Sequence, residues 1–462
     1  MRFRPLFCWL PAALVAAYPW ALSPPSLWAE REGVWYVPKL LLLLLLAVLL
    51  APYGLRRPAP RLAAALLAAQ LFWLALSSSL SYGSTQDGSF WLLGPLNRMD
   101  GPLYQSALLL FALGLLGLLE KEPCLERALP VFLLLSALYQ GVLWLWQRSG
   151  LDPLAIPLGY LPQLPPGTIG NPGMAAGLAL PLVPLALGLW VRQGKGYWLL
   201  AALGLATALG GLANRTALIA LVAGLSLLAA LHRERRLWAA ALAPLALAFL
   251  SSAAWPTTLA GKKDLTTSRT LETRLEMWRI GLSLLAQDPQ TLLVELGPLG
   301  LQRAMVEERV PLQQLLRLYQ LEYDWPPPER FLSATPLWEA DDPPTSRTYL
   351  LRYNVEGLPK YHRSEGQKEF LALQRLSNWD KAHNAYLDKA LAYGLPYGVL
   401  WALFLLYPTL PLLRSRSPVA TGMATGLLSL ALYYLAWFPT PGTEPWHFVL
   451  AALAWRKVHK PG

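Results

Sequence analysis

Charge is scarce in this chain: of its 462 residues only 15% are Asp, Glu, Lys or Arg, where soluble domains carry about 25%. That shortage, beside 55% hydrophobic residues, excludes an ordinary water-soluble globule. Histidine is rare as well, and His362, His447 and His459 are scattered without zinc-ligand spacing. The chain has two cysteines, Cys8 and Cys124, too few for a disulfide framework, and no structural disulfide or metal site is expected of them. No glycine-rich loop ending in Gly-Lys-Ser/Thr is present, so the chain itself is not expected to be an ATPase. Internal repeats and low-complexity tails are also missing.

What is present is one apolar run after another. A spanning helix needs roughly 20 apolar residues to cross about 30 Å of hydrocarbon, and about twelve stretches qualify: 5–22, 35–54, 62–80, 102–119, 128–147, 173–191, 197–213, 215–231, 237–256, 390–413, 418–437 and 443–456. Pro181 and Pro184 inside one of them do not argue against helix, because neighbouring helices can satisfy the freed carbonyls. Small residues at Gly-x-x-x-Gly spacing read as helix packing. The expected fold is an all-α polytopic membrane protein. One large, mainly helical extracytoplasmic loop would lie between helices 9 and 10, giving segments 1–256, 257–382 and 383–462.

Lys and Arg orient the spans. Every second connection is basic: Arg2 and Arg4; Arg56, Arg57 and Arg61; Lys121 and Arg127; Arg192 and Lys195; Arg233, Arg235 and Arg236; Arg414 and Arg416; Arg456, Lys457 and Lys460. By the positive-inside rule both termini and these connections are cytoplasmic and the long loop is outside. The formal charge of +11 then belongs to anchors facing anionic headgroups, with no nucleic-acid partner. Residues 1–28 read as the first span rather than a signal peptide, because Pro24, Pro25, Leu27 and Trp28 make a poor cleavage site. Both cysteines fall on the cytoplasmic side.

Within the loop, Leu271, Leu275, Trp278, Leu282 and Leu285 form a helical stripe that predicts an interfacial helix over 270–286. A second helix is predicted over 299–322 and a short one over 364–377, with irregular chain at 325–345 around Pro326-Pro327-Pro328 and Asp341-Asp342. The acid pair reads as solvated loop rather than a metal site. His383, at the end of the loop, is a candidate proton acceptor, since neutral imidazole takes a proton near neutral pH; the competing reading is a helix cap. Arg215 and Arg98 lie in short external connections where basic residues are few, which makes them candidate anion ligands, although an Arg at the hydrocarbon edge also snorkels. Arg269, Arg274 and Arg279 crowd the interfacial helix and together suggest a phosphate-binding surface.

Several segments in order resemble the O-antigen ligase and polymerase superfamily of membrane glycosyltransferases. They are Gly88-Ser89-Phe90-Trp91 leading to Asn97-Arg98-Met99-Asp100-Gly101; Gly167-Thr168-Ile169-Gly170-Asn171-Pro172; Asn214-Arg215-Thr216-Ala217-Leu218; and Thr273-Arg274-Leu275-Glu276-Met277-Trp278, followed by Asp288-Pro289 and Gly297-Pro298. The last, and most specific, is Asp380-Lys381-Ala382-His383-Asn384-Ala385-Tyr386-Leu387-Asp388, continuing to Gly394-Leu395-Pro396-Tyr397-Gly398. Asn214 stands where relatives often have Ser, and Pro396 where they often have an apolar residue. The resemblance implies an inverting, metal-independent transfer of a preassembled glycan from a polyprenyl diphosphate to a lipid, glycan or protein acceptor, at the outer face of a bacterial inner membrane and without a cofactor. It assigns His383 to the acceptor proton and Arg215, Arg274 and Arg98 to the donor diphosphate. A polysaccharide polymerase, a protein O-oligosaccharyltransferase and, from another class, a lipid or glycan transporter are the alternatives.

The alternation of basic connections predicts sidedness directly. With both native cysteines changed to serine, a cysteine at position 342 should react with a membrane-impermeant reagent on intact cells, and one at position 235 only after permeabilisation. The reverse pattern would invert the topology and every site built on it.

Overall fold

A computed structural model describes residues 4–22, 36–56, 60–81, 92–94, 100–151, 153–154, 167–232, 235–254, 269–294, 296–297, 300–323, 326–340, 346–356, 368–375 and 381–459. Arg98, Asp341, Asp342, His362 and Asp380 lie outside the described residues. The chain divides into two compact units. A bundle unit comprises Met1–Leu74, Leu92–Thr258 and Leu400–Gly462; a loop unit comprises Ala75–Trp91 and Leu259–Val399.

Among the described residues eight segments are long and apolar enough to cross a membrane. These are α2 (Val37–Arg56), the first twenty residues of α3 (Arg61–Ser81), α4 (Pro102–Lys121), α5 (Leu125–Arg148), the pair α6 (Pro172–Ala179) and α7 (Leu182–Gln193), α9 (Arg215–His232), most of α10 (Arg235–Ala254), and the pair α16 (Leu395–Leu406) and α17 (Thr409–Leu413). The other four expected spans are helical but shorter: α1 (Arg4–Ala17), α8 (Gly196–Gly211), α18 (Pro418–Tyr434) and α19 (Glu444–His459), of 14, 16, 17 and 16 residues. At about 1.5 Å per residue, 16 residues rise roughly 24 Å, less than the hydrocarbon thickness. The chain is a multi-pass membrane protein.

Glycine lets these helices touch backbone to backbone. A Cβ at Gly114 of α4 would lie 2.3 Å from the Leu50 carbonyl carbon of α2, and one at Gly117 would lie 2.4 Å from the Tyr53 carbonyl. Gly422 and Gly426 of α18 rest in the same way on the carbonyls of Pro184 and Pro181. In lipid, where apolar side chains gain little by leaving their surroundings, such close approach is a main source of helix association.

Two features of the bundle unit correct the sequence reading. Cys8 and Cys124 form a disulfide, with Cα atoms 5.9 Å apart. The 116-residue separation hid this, because only the fold sets α1 beside α5. Ser136 Oγ donates to the Ala16 carbonyl at 2.7 Å at the other end of the contact, so α1 and α5 run in the same direction, as the first and fifth spans of an alternating topology must. The disulfide itself sits at the end assigned to the reducing side, where such bonds are rare; the labelling experiment above decides between charge and redox as the guide to sidedness. The second correction concerns Arg456, which is not a headgroup anchor. It is buried and paired with Glu120 at 2.5 Å and Glu126 at 2.6 Å, while Lys457 reaches Glu126 at 3.0 Å, tying α19 to the ends of α4 and α5.

The loop unit has its own core. Met277, Ile280 and Leu284 of α11 (Arg269–Gln287), Leu301, Ala304 and Met305 of α13 (Gly300–Val306), and Leu315, Leu316 and Tyr319 of α14 (Leu312–Tyr323) pack with Leu387, Ala390 and Leu391 of α15 (Ala385–Tyr393). The loop, expected to be mainly helical, also contains a three-stranded antiparallel sheet of order β1 (Phe331–Ala340), β2 (Ser346–Asn354), β3 (Glu369–Arg375); Leu351 and Tyr353 of β2, with Val355 just after it, join the same core. The predicted irregular chain at 325–345 is β1 over residues 331–340, and within the predicted helix at 364–377 the described residues 369–375 form β3. Register is irregular on β1 between Pro336 and Trp338, which suits proline in an edge strand. Between α11 and α14, Asp288 caps the short helix α12 (Pro289–Leu293). Hydrogen bonds from the Thr291 N–H and hydroxyl, with Arg309 nearby at 3.0 Å, hold its carboxyl below the usual range. This contribution to stability is present above the ordinary carboxylate pKa and is lost as pH falls through the depressed one.

Candidate functional site

Three of the segments quoted for the family resemblance start helices in one way. Asn171 accepts from Gly173 N at 2.8 Å, Asn214 from Ala217 N at 3.0 Å, and Asn384 from Tyr386 N and Leu387 N, both at 3.1 Å. Each asparagine thus satisfies N–H groups that the first turn of α6, α9 or α15 leaves without a partner. The residue before each cap is left-handed: Gly170 at φ 93°, Ala213 at φ 52° and His383 at φ 54°. Ala213 carries no functional group, so the backbone of His383 is explained by this turn and is no argument for chemistry.

The α15 start carries an additional clamp. Asp388, buried one turn into the helix, accepts from Ala382 N at 2.7 Å through Oδ1 and from Asn384 N at 3.3 Å through Oδ2. It works as the carboxylate of a capping box does, one position later. The amides on both sides of His383 are thereby fixed, and capping belongs to Asn384 and Asp388 rather than to the histidine. His383 is itself half-buried, with Nδ1 3.2 Å from the Lys381 carbonyl. A carbonyl only accepts, so this contact assigns the proton of a neutral ring to Nδ1 and the lone pair to Nε2. A basic nitrogen on a rigid turn is what proton transfer from a hydroxyl requires.

Arg274 lies on α11, half-buried and in the loop unit with His383. The two elements touch where Gly281 packs on Leu387, roughly 10 Å along the helix from Arg274. Of the other arginines expected on this helix, Arg279 is 69% exposed and pairs with Glu276 at 3.2 Å, a carboxylate that Arg317 also approaches at 3.5 Å. Arg215 opens α9 in the bundle unit and is exposed. Arg98 lies outside the described residues.

Sequence reasoning missed a second constellation, buried in the bundle unit. Glu444, in the first turn of α19, accepts from Trp401 Nε1 at 2.9 Å and Tyr104 hydroxyl at 3.2 Å. One turn on, His447 Nε2 donates to the Gly177 carbonyl at 3.0 Å, leaving Nδ1 to accept from Tyr434. Fully buried Lys39 donates to the carbonyls of Ala21 and Thr168, each at 2.8 Å. Thr168 in turn donates its hydroxyl to the Pro19 carbonyl at 2.6 Å. The Thr168 of the second family segment is therefore a knot between distant strands of chain, a role no spacing could have revealed. Among the described residues one trio of possible metal donors gathers within 4.8 Å, Cys8, Glu122 and Cys124, but its sulfurs are joined and a disulfide supplies no thiolate. No protein-family model and no curated protein matches the chain.

The cap assignment predicts an order of stabilities in thermal unfolding. Asn384→Ala should cost about 1 kcal/mol and Asp388→Ala about 1–3 kcal/mol, since it strips buried amides of their acceptor. His383→Gly should be neutral or stabilise by up to about 1 kcal/mol, because glycine takes the left-handed conformation without strain. A larger loss from His383→Gly than from Asp388→Ala would return the structural role to the histidine.

Proposed function

We propose that the chain is a membrane glycosyltransferase resembling O-antigen ligases, which moves a preassembled glycan from a polyprenyl diphosphate to an acceptor hydroxyl at the extracytoplasmic face of a bacterial inner membrane. The observation that carries the reading is the α15 start: Asn384 and Asp388 do the capping, and the His383 Nδ1 contact with the Lys381 carbonyl puts the lone pair of a neutral ring on Nε2. In this reading His383 takes the proton of the acceptor hydroxyl as its oxygen attacks the anomeric carbon. The bond to the diphosphate breaks on the opposite side, so the anomeric centre inverts. A diphosphate needs charge stabilisation more than a proton, and planar guanidinium forks supply it; Arg215 and Arg274 have that role, with Arg98 as a third. Metal and cofactor have no part in the scheme. Lipid core, growing glycan and protein are all acceptors that this chemistry serves, so polymerase and protein O-oligosaccharyltransferase remain variants of it.

A transporter is the second reading, favoured by buried Lys39, Glu444 and His447, since ionisable groups inside a membrane are functional candidates by default. Each of the three has internal hydrogen-bond partners, which suits a structural knot at least as well.

Reconstitution with a polyprenyl-diphosphate glycan and candidate acceptors separates the readings. A transferase yields glycosylated acceptor in sealed and in detergent-solubilised preparations alike, and keeps its rate in excess EDTA. Arg215→Ala and Arg274→Ala should each lower turnover at least tenfold, with Lys rescuing poorly because it lacks the fork. Loss of activity in EDTA with recovery on Mg²⁺ would overturn the metal-independent scheme, and movement of intact glycan-lipid without a glycosylated product would favour transport.

A further inference from the structure

Helix α11 is apolar on two faces, and the core accounts for only one. Met277, Ile280 and Leu284 point inward and are at most 3% exposed. Leu271, Leu275 and Leu282 point the other way, 59%, 40% and 60% exposed. At 3.6 residues per turn these three leucines fall within an arc of about 40°, a straight stripe along the helix. Arg279, 69% exposed, flanks the stripe.

The position of the stripe follows from what the helix is joined to. Gly281 packs so closely on Leu387 of α15 that a Cβ there would lie 2.6 Å from Leu387 Cδ2. Leu296 N donates to the Leu391 carbonyl at 2.9 Å, and the Leu293 carbonyl sits 2.2 Å from where a Cβ on Gly394 would be. Gly394 is the single residue between α15 and α16, the start of a membrane-spanning segment. The segment after α11 is thus bolted to the residue at which the chain enters the hydrocarbon. Leu293, Leu395 and Val399 around that point are themselves 46%, 40% and 48% exposed.

We propose that α11 is a second membrane contact of the loop unit, lying in the outer interface with Leu271, Leu275 and Leu282 among the acyl chains and Arg279 among anionic headgroups. Continuity with a span, with Arg279 beside the stripe, singles out bilayer lipid as the occupant. The contact fixes the depth of α15, and with it His383, relative to the membrane surface. It stands whether or not the chain is a transferase.

Spin labels on Leu271→Cys, Leu275→Cys and Leu282→Cys, one at a time, test it on the full chain with the native disulfide intact. The host is a nanodisc of phosphatidylethanolamine and phosphatidylglycerol. Collision with oxygen should exceed collision with a water-soluble nickel chelate at all three sites, as at Val48→Cys in mid-span and opposite to Glu356→Cys on the loop. Dominant nickel collision would place the stripe in water, and low collision with both reagents would place it under protein such as a second copy. A lipid-like signal seen only after polyprenyl lipid is added would make it a carrier site. Each of these three results overturns the proposal, and three labels guard against one that perturbs folding.

Discussion

The first N–H groups of a helix have no partner within it, and close to lipid they cannot turn to water. Much of the described geometry answers that constraint. Asn171, Asn214 and Asn384 each cap a helix after a left-handed residue, and at α15 Asp388 takes the amides of Ala382 and Asn384 just before the helix. The consequence for chemistry is indirect. Because Asn384 and Asp388 supply these bonds, the turn that positions His383 is built by its neighbours.

The same constraint shapes the interior of the bundle unit. Three buried charged groups there have partners supplied by the fold: Glu444 between Trp401 and Tyr104, Lys39 against two carbonyls, Arg456 between Glu120 and Glu126. Removing one member of such a buried set strands the others at a cost of about 3–5 kcal/mol, so these sets act as pins between helices. Close glycine contacts at α2 with α4 and at α7 with α18 supply the rest of the registration. In the loop unit, helices, sheet and α15 share one apolar core, so the histidine turn is anchored by the loop on its C-terminal side.

Legibility in the sequence followed the period and length of each signal. Apolar runs of twenty residues and the stripe of α11 were readable because hydrophobic spacing at helical period is a strong local cue. The sheet was misread although Tyr349, Leu351 and Tyr353 alternate along β2, with Val355 just beyond it: Pro336 and the neighbouring acid and proline clusters drew attention to breakers. The Cys8–Cys124 bond and the Arg456 cluster join residues 116 and more than 300 positions apart, and nothing local encodes such pairings. His383 was visible as a motif, but which neighbour caps the helix was not, since Asn384 and Asp388 are ordinary residues until the backbone turns. Thr168 shows the converse, a motif residue whose visible role is to hold the fold.

The account rests on His383 doing chemistry while Asn384 and Asp388 do the capping. The most direct test is the initial transfer rate of His383→Asn in reconstituted protein, beside its unfolding temperature and donor binding. A general base predicts a rate lower by about 10²–10⁴-fold, with folding and donor affinity unchanged, and a wild-type rate that falls as pH drops through the imidazole pKa. Near-wild-type turnover in His383→Asn would contradict the account and leave the histidine as part of the turn.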